Sequence, residues 1–284
     1  MHDKATFTQQ KQWKTSDIVI LVVTLILALL FFFPVFFSLI SAFKTNGEIL
    51  KDPIGIPKKL NFSNFAYLWN KTSIPQAALN SLILTVTSCI FMIALIPMSS
   101  YVIERRGGKF KAFFYAFFIS GMMIPFQAYM IPLFKELRFF GLFGTMLAPI
   151  LIYIAGATSF GTLLYCSFIQ GIPKEIEESA SIDGCSPFST FWRIVFPLLK
   201  PCTASMLILQ GVGIWNDFLM PMMVMPANHP KTINVEIFSF IGEFQVRYDV
   251  LFSGTFVAIV PVIIVFIVLQ KYFVNGIMSG AVKS

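Results

Sequence analysis

The chain has 284 residues, of which 56% are apolar, 16% aromatic and only 12% charged, with a formal net charge of +7. An average soluble protein carries about 25% charged residues, so this composition, with its repeated uncharged apolar runs, excludes an ordinary soluble domain and indicates a polytopic membrane protein. The modest positive balance suits anionic lipid headgroups, and the lack of interleaved basic and aromatic residues argues against a nucleic-acid partner.

Residues 1–17 are polar, and the apolar run at 18–43 is too long for a cleaved leader, which predicts a retained first span. Residues 44–76 read as a polar loop whose aromatics (Phe62, Phe65, Tyr67 and Trp69) lie near the headgroups. A second span is expected over 77–102, followed by a turn with Arg105, Arg106, Lys109 and Lys111, a cluster that marks a cytoplasmic loop. The third span is expected over 112–134 with a kink at Pro125, and the fourth over 145–169 after a short polar link. The fifth is expected over 201–224, with Pro201 at its first turn, and the sixth over 251–269, with an outer loop between them. Six spans put both termini on one side, and of the Lys and Arg residues 12 fall on the expected inner segments and 9 on the outer ones. This excess is weak, so the basic turn after span two carries the orientation. Cys89, Cys166, Cys185 and Cys202 form no CxxC pair, which argues against a disulfide framework. His2 and His229 are too few and too distant for a metal site, which needs three or four converging ligands.

Between spans four and five lies the polar stretch 175–197, with four acids in its first nine residues. Glu175, Glu177 and Glu178 sit where a helix N-terminus favours negative charge, and Ile172, Ile176 and Ala180 form an apolar stripe at four-residue spacing. Gly184 suits a left-handed stop, and Ser186-Pro187 restarts a second helix that ends at Pro197. Two roles fit these residues. One is an amphipathic loop helix resting on the membrane. The other is a helical knob for a partner protein, with small Ser179 and Ala180 allowing close approach beside Glu178.

The spacing narrows this choice. Glu178-Ser179-Ala180, three residues, Gly184, nine residues, Ile194, one residue and Phe196-Pro197 resemble the EAA motif of ABC importer permeases, Glu-Ala-Ala, three, Gly, nine, Ile, one, Leu-Pro. Ser179 and Phe196 depart from the pattern but stay compact or apolar. Trp215-Asn216-Asp217-Phe218 and the ending from Gln270-Lys271-Tyr272-Phe273-Val274 through Gly276 and Gly280 to Val282-Lys283 are similar to the carbohydrate-uptake branch, the maltose-permease G-subunit relatives. The resemblance implies an all-α polytopic membrane protein of six transmembrane helices with a cytoplasmic coupling-helix loop, as in type I ABC importers. It implies ATPase docking at Glu178, Ser179, Ala180 and Gly184. The implied partners are a second homologous permease, an ATP-binding ATPase dimer, an extracytoplasmic solute-binding protein and a sugar substrate, with membrane lipid around the spans. The chain divides accordingly into residues 1–76 (tail, first span and outer loop), 77–270 (core permease with its loop at 170–200) and 271–284 (a cytoplasmic tail).

An acid at the bilayer centre costs roughly 2.5–3.5 kcal/mol, so Asp217 should face the bundle interior or a wet cavity. Gln210, Gly213 and Asp217 share a helical stripe with Asn216 beside it, a candidate lining of the substrate path. An interhelical hydrogen bond or salt bridge would equally account for the acid, and Trp215 fits either stacking on a sugar or packing. Asn80, Thr85 and Ser88 are weaker candidates, since small polar residues commonly join spans. The sequence has no GxxxxGK[ST] loop, so ATP-Mg is expected on a partner and no cofactor or metal on this chain. Neither GxSxG nor HExxH is present, which predicts no catalytic residues and no enzyme activity here. The alternatives are a self-contained secondary carrier or channel, with Asp217 as an ion site, or an ABC permease for amino acids or glycerol-phosphate.

Overall fold

The computed structural model describes residues 15–226, 230–241 and 246–281, with side chains described as far as Val268. His2, His229, Val282 and Lys283 lie outside these residues, as do the side chains of the ending that begins at Gln270. Among the described residues the fold is helical, with one isolated bridge between Ile241 and Val246. Helices dominate because a backbone inside lipid must satisfy its own polar groups.

Among the described residues four helices are each long and apolar enough to cross a membrane: α1 (Thr15–Ser41), α4 (Ile74–Arg106), α7 (Leu147–Gln170) and the start of α14 (Tyr248–Ala281). Two bent helix pairs bring the count to six when each is taken as one span. The expected spans one, two, four and six thus fall on single helices. α1 is exposed along its apolar window and touches α14 through Phe37 and Phe252.

Span three differs from its expectation. It comprises α5 (Gly108–Ser120), a 3-10 turn (Gly121–Met123) and α6 (Phe126–Phe139), with a bend of 100° rather than a kink. Pro125 has no N–H to donate and forces the preceding residue out of the helical region, and Ile124 is extended at φ −96°, ψ 110°. Span five differs as well. α11 (Lys200–Asn216) ends at Asp217, which is extended, and a short α12 (Leu219–Val224) follows. On its other side α11 joins the stretch Pro187–Leu198 at 75°.

The core lies where α4, α7 and α11 meet. Leu84, Met92, Ile96, Tyr165, Cys202 and Met206 are buried together there. Gly161 of α7 makes the close approach possible: a Cβ on it would lie 2.7 Å from Ile96 Cγ2 and 3.0 Å from Met206 Cε. Small residues at such contacts are how membrane helices pack. Gly161→Ala is therefore expected to cost about 1–3 kcal/mol of stability through overpacking. A lowered melting temperature of the purified protein in detergent is the check.

The loop expected over 44–76 contains two short helices, α2 (Asn46–Lys51) and α3 (Ser63–Lys71). Thr45 and Glu48 form a capping box, and the backbone N–H and hydroxyl of Thr45 hold the exposed Glu48 carboxyl below its usual pKa. The Lys44 ammonium is buried and donates to the carbonyls of Asp52 and Pro53, while Asn64 donates to those of Ala42 and Lys44. Phe43 and Phe65 meet Phe256, so this assembly caps one end of α14.

Candidate functional site

Two places hold the residues singled out in the sequence. The first is the loop after α7. Helix α8 (Glu175–Ile182) begins with three acids in its first turn. Gly184 then adopts φ +82°, and the N–H of Cys185 donates to Ala180 O while that of Gly184 donates to Ser181 O. This pairing closes the helix and needs a residue free to be left-handed. The Ser186 hydroxyl accepts from Ser189 N to start α9 (Pro187–Thr190), which passes into a π-helical turn (Phe191–Val195) and α10 (Phe196–Leu198). Phe191 and Val195 are buried in the core, so the second half of the loop is anchored and α8 is presented beyond it.

Glu178, Ser179 and Gly184 are exposed on that helix and its stop, whereas Ala180 is buried against its own chain. Ile182 is 87% exposed and Phe188 67%, which adds apolar area to the acidic surface. Glu177 takes a different direction from its neighbour. One oxygen, Oε1, accepts from Arg105 Nε at 2.7 Å and pairs with Nη2 at 2.6 Å, and the other accepts from the Tyr101 hydroxyl at 2.7 Å. The same Arg105 donates to the carbonyl of Ile172 at 2.9 Å.

The second place is a cavity of about 280 Å³ lined by Phe126, Tyr129, Tyr153, Gln210 and Asp217, among others. It sits beside both helix breaks, one before Phe126 and one at Asp217. Asp217 Oδ2 accepts from the Tyr153 hydroxyl at 2.9 Å, and Oδ1 accepts from Met220 N at 3.2 Å, which caps α12. The acid thus ends one helix and starts another while leaving acceptor capacity on the cavity wall. Gly213 is exposed with open space before it. Asn216 lines a separate pocket with Asn234.

Trp215 is 8% exposed, packed between α11 and α14, and its indole N–H donates to Ala258 O at 2.9 Å. Asn80 donates to Lys231 O, and the hydroxyls of Thr85 and Ser88 are buried without a partner among the described residues. Tyr153 and Tyr129 were not singled out from sequence. The available signal was a tyrosine at membrane depth, whose hydroxyl demands a partner.

Residues 95–279 match the family described as the inner-membrane component of binding-protein-dependent transport systems. The chain belongs to that family. The permease is 34% identical over 259 residues to a probable starch degradation products transport system permease protein, AmyC, of Thermoanaerobacterium thermosulfurigenes, covering 91% of this chain and 94% of that one. It is 33% identical to the melibiose/raffinose/stachyose import permease protein MelC of Bacillus subtilis, over 93% of this chain and 96% of that one. A bacterial ABC transporter involved in the import of the acidic polysaccharide alginate has a chain of the same fold, with a TM-score of 0.82 at 21% identity, covering 92% of the permease and 99% of that chain. The resemblance read from the EAA spacing is borne out by these matches.

Proposed function

We propose that the permease forms half of the translocation path for a sugar or oligosaccharide. A separate ATPase dimer drives it, docking on α8 at Glu178, Ser179, Ala180 and Gly184. Ala180 contributes by its small size beneath the contact, and the other three contribute directly. A second permease completes the path, a solute-binding protein delivers cargo from outside, and ATP-Mg is bound and hydrolysed on the ATPase. The α8 loop and both termini then face the cytoplasm of a cell-membrane protein, in keeping with the basic turn at Arg105–Lys111, whose neighbouring helix end holds α8.

The observation that carries the reading is an exposed, acidic, glycine-closed helix presented by a permease whose own sequence lacks a phosphate-binding loop. The names of the relatives, which transport starch products and raffinose-type sugars, support sugar as cargo. So does the cavity: Gln210, Asp217 and Tyr153 offer donors and acceptors for hydroxyls, and Tyr129 and Phe126 offer apolar faces. Purification from the native membrane is expected to yield the permease with a second permease and an ATPase. In vesicles, that complex should take up labelled sugar only with ATP and the binding protein. Gradient-driven uptake by this chain alone would overturn the reading.

A further inference from the structure

We infer that Arg105 and Glu177 form a latch through which movement of the docked α8 is passed to the inner end of α4. This rests on the docking role proposed for α8. Arg105 holds both ends of the α7-to-α8 connection at once, through the carbonyl of Ile172 and the carboxylate of Glu177. Tyr101, one turn earlier on α4, occupies the second carboxylate oxygen, so both oxygens are bound by one helix end. The Arg105 and Glu177 side chains are only 15% and 13% exposed, which protects the pair from solvent screening. Among the described residues, every side-chain hydrogen bond or ion pair joining α8 to a membrane helix passes through Glu177.

Successive helical residues point about 100° apart, so Glu177 can face α4 while Glu178 faces outward. Adjacent acids therefore take different tasks, one gripping the span and one left for a partner. A planar guanidinium with two nitrogens on Oε1, beside the Tyr101 hydroxyl on Oε2, resists tilting of the carboxylate more than a lysine would. Toward the other end of α4, about 37 Å from Arg105 at 1.5 Å per residue, Asn80 and Ser81 hold the backbone of Lys231 and Ile233. α4 thus touches the α8 loop at one end and the loop before α12's successor, α13 (Ile233–Phe238), at the other. A contiguous structure is a means of coupling only when breaking it changes the coupling.

The test compares Arg105→Gln, Glu177→Gln and the exchange Arg105→Glu/Glu177→Arg in the complete purified complex. Uptake of labelled sugar is measured per assembled complex, with the amount of co-purified ATPase recorded for each. The single variants are expected to retain the ATPase yet lose at least about ten-fold in uptake per complex, and the exchange to recover a substantial part. Uptake per complex within two-fold of wild type in the single variants overturns the latch. So does an exchange no better than the singles, or a loss of uptake that merely follows loss of assembly. The wild-type complex separates the two readings: if it contains no ATPase the docking proposal fails, and if it does while Arg105→Gln is harmless only the latch fails.

Discussion

Glu178→Lys should leave the helices inserted but strip the ATPase from the purified complex and stop ATP-driven uptake. The side chain is exposed on the first turns of α8 and makes no ion pair among the described residues, so the bundle there does not depend on it. Its replacement sets a cation at a helix N-terminus, where the dipole already favours acids, and would turn the proposed attractive contact with the ATPase into a repulsive one. Like charges brought together across an interface cost several kcal/mol, which corresponds to a loss of affinity of roughly a hundred-fold or more. Membrane insertion, ATPase co-purification and uptake are measured on the same preparation. A reversed charge that leaves all three intact would show that Glu178 does not face the ATPase. Glu177→Gln provides the contrast: it should weaken uptake without releasing the ATPase, because that side chain is turned toward Arg105.

The permease architecture was legible in the sequence wherever one physical quantity decided the outcome. Uninterrupted apolar length placed α1, α4, α7 and the first part of α14 within a few residues of where they lie. The acids, Gly184 and Ser186-Pro187 gave the helix, stop and restart of the α8 loop, because each is a local backbone requirement. Of the two broken spans, the first was legible at Pro125 as a kink but not as a bend of 100°, and the second was not legible, since hydropathy counts apolar residues and is blind to hydrogen bonds. Phe126–Phe139 is apolar enough to continue α5, yet Pro125 with extended Ile124 turns it away. Asp217 was expected inside a helix, but its carboxylate caps the next helix through Met220 N and so lets the chain break there. The different surroundings of Glu177 and Glu178 were hidden for another reason. Both satisfy the dipole equally, and only the position of Arg105 on a helix 72 residues earlier distinguishes them. Arg105 itself served in the sequence only as an orientation cue.

Asp217→Asn is expected to insert and assemble normally but to lower uptake about ten-fold and to narrow the range of sugars carried. Asparagine is nearly isosteric. Its carbonyl can keep the bond from Met220 N while its amide donates to the Tyr153 hydroxyl, so the cap and the interhelical contact survive. What disappears is the charge and the spare acceptor capacity on the cavity wall. A hydrogen bond from a sugar hydroxyl to an ionised carboxylate contributes about 1.5–3 kcal/mol, against about 1 kcal/mol for a neutral acceptor, and the difference is of the order of one decade in binding. Asp217→Leu should behave differently, because it also leaves the Tyr153 hydroxyl unpaired at about 1–3 kcal/mol and removes the cap on α12, so assembly falls as well as uptake. Measuring uptake per assembled complex for several sugars separates the two effects. If the Asn variant carries every sugar at the wild-type rate, Asp217 is a structural join between α7 and α11, and the path must be lined by other groups. A selective loss that leaves assembly untouched places the carboxylate in contact with the cargo as it passes.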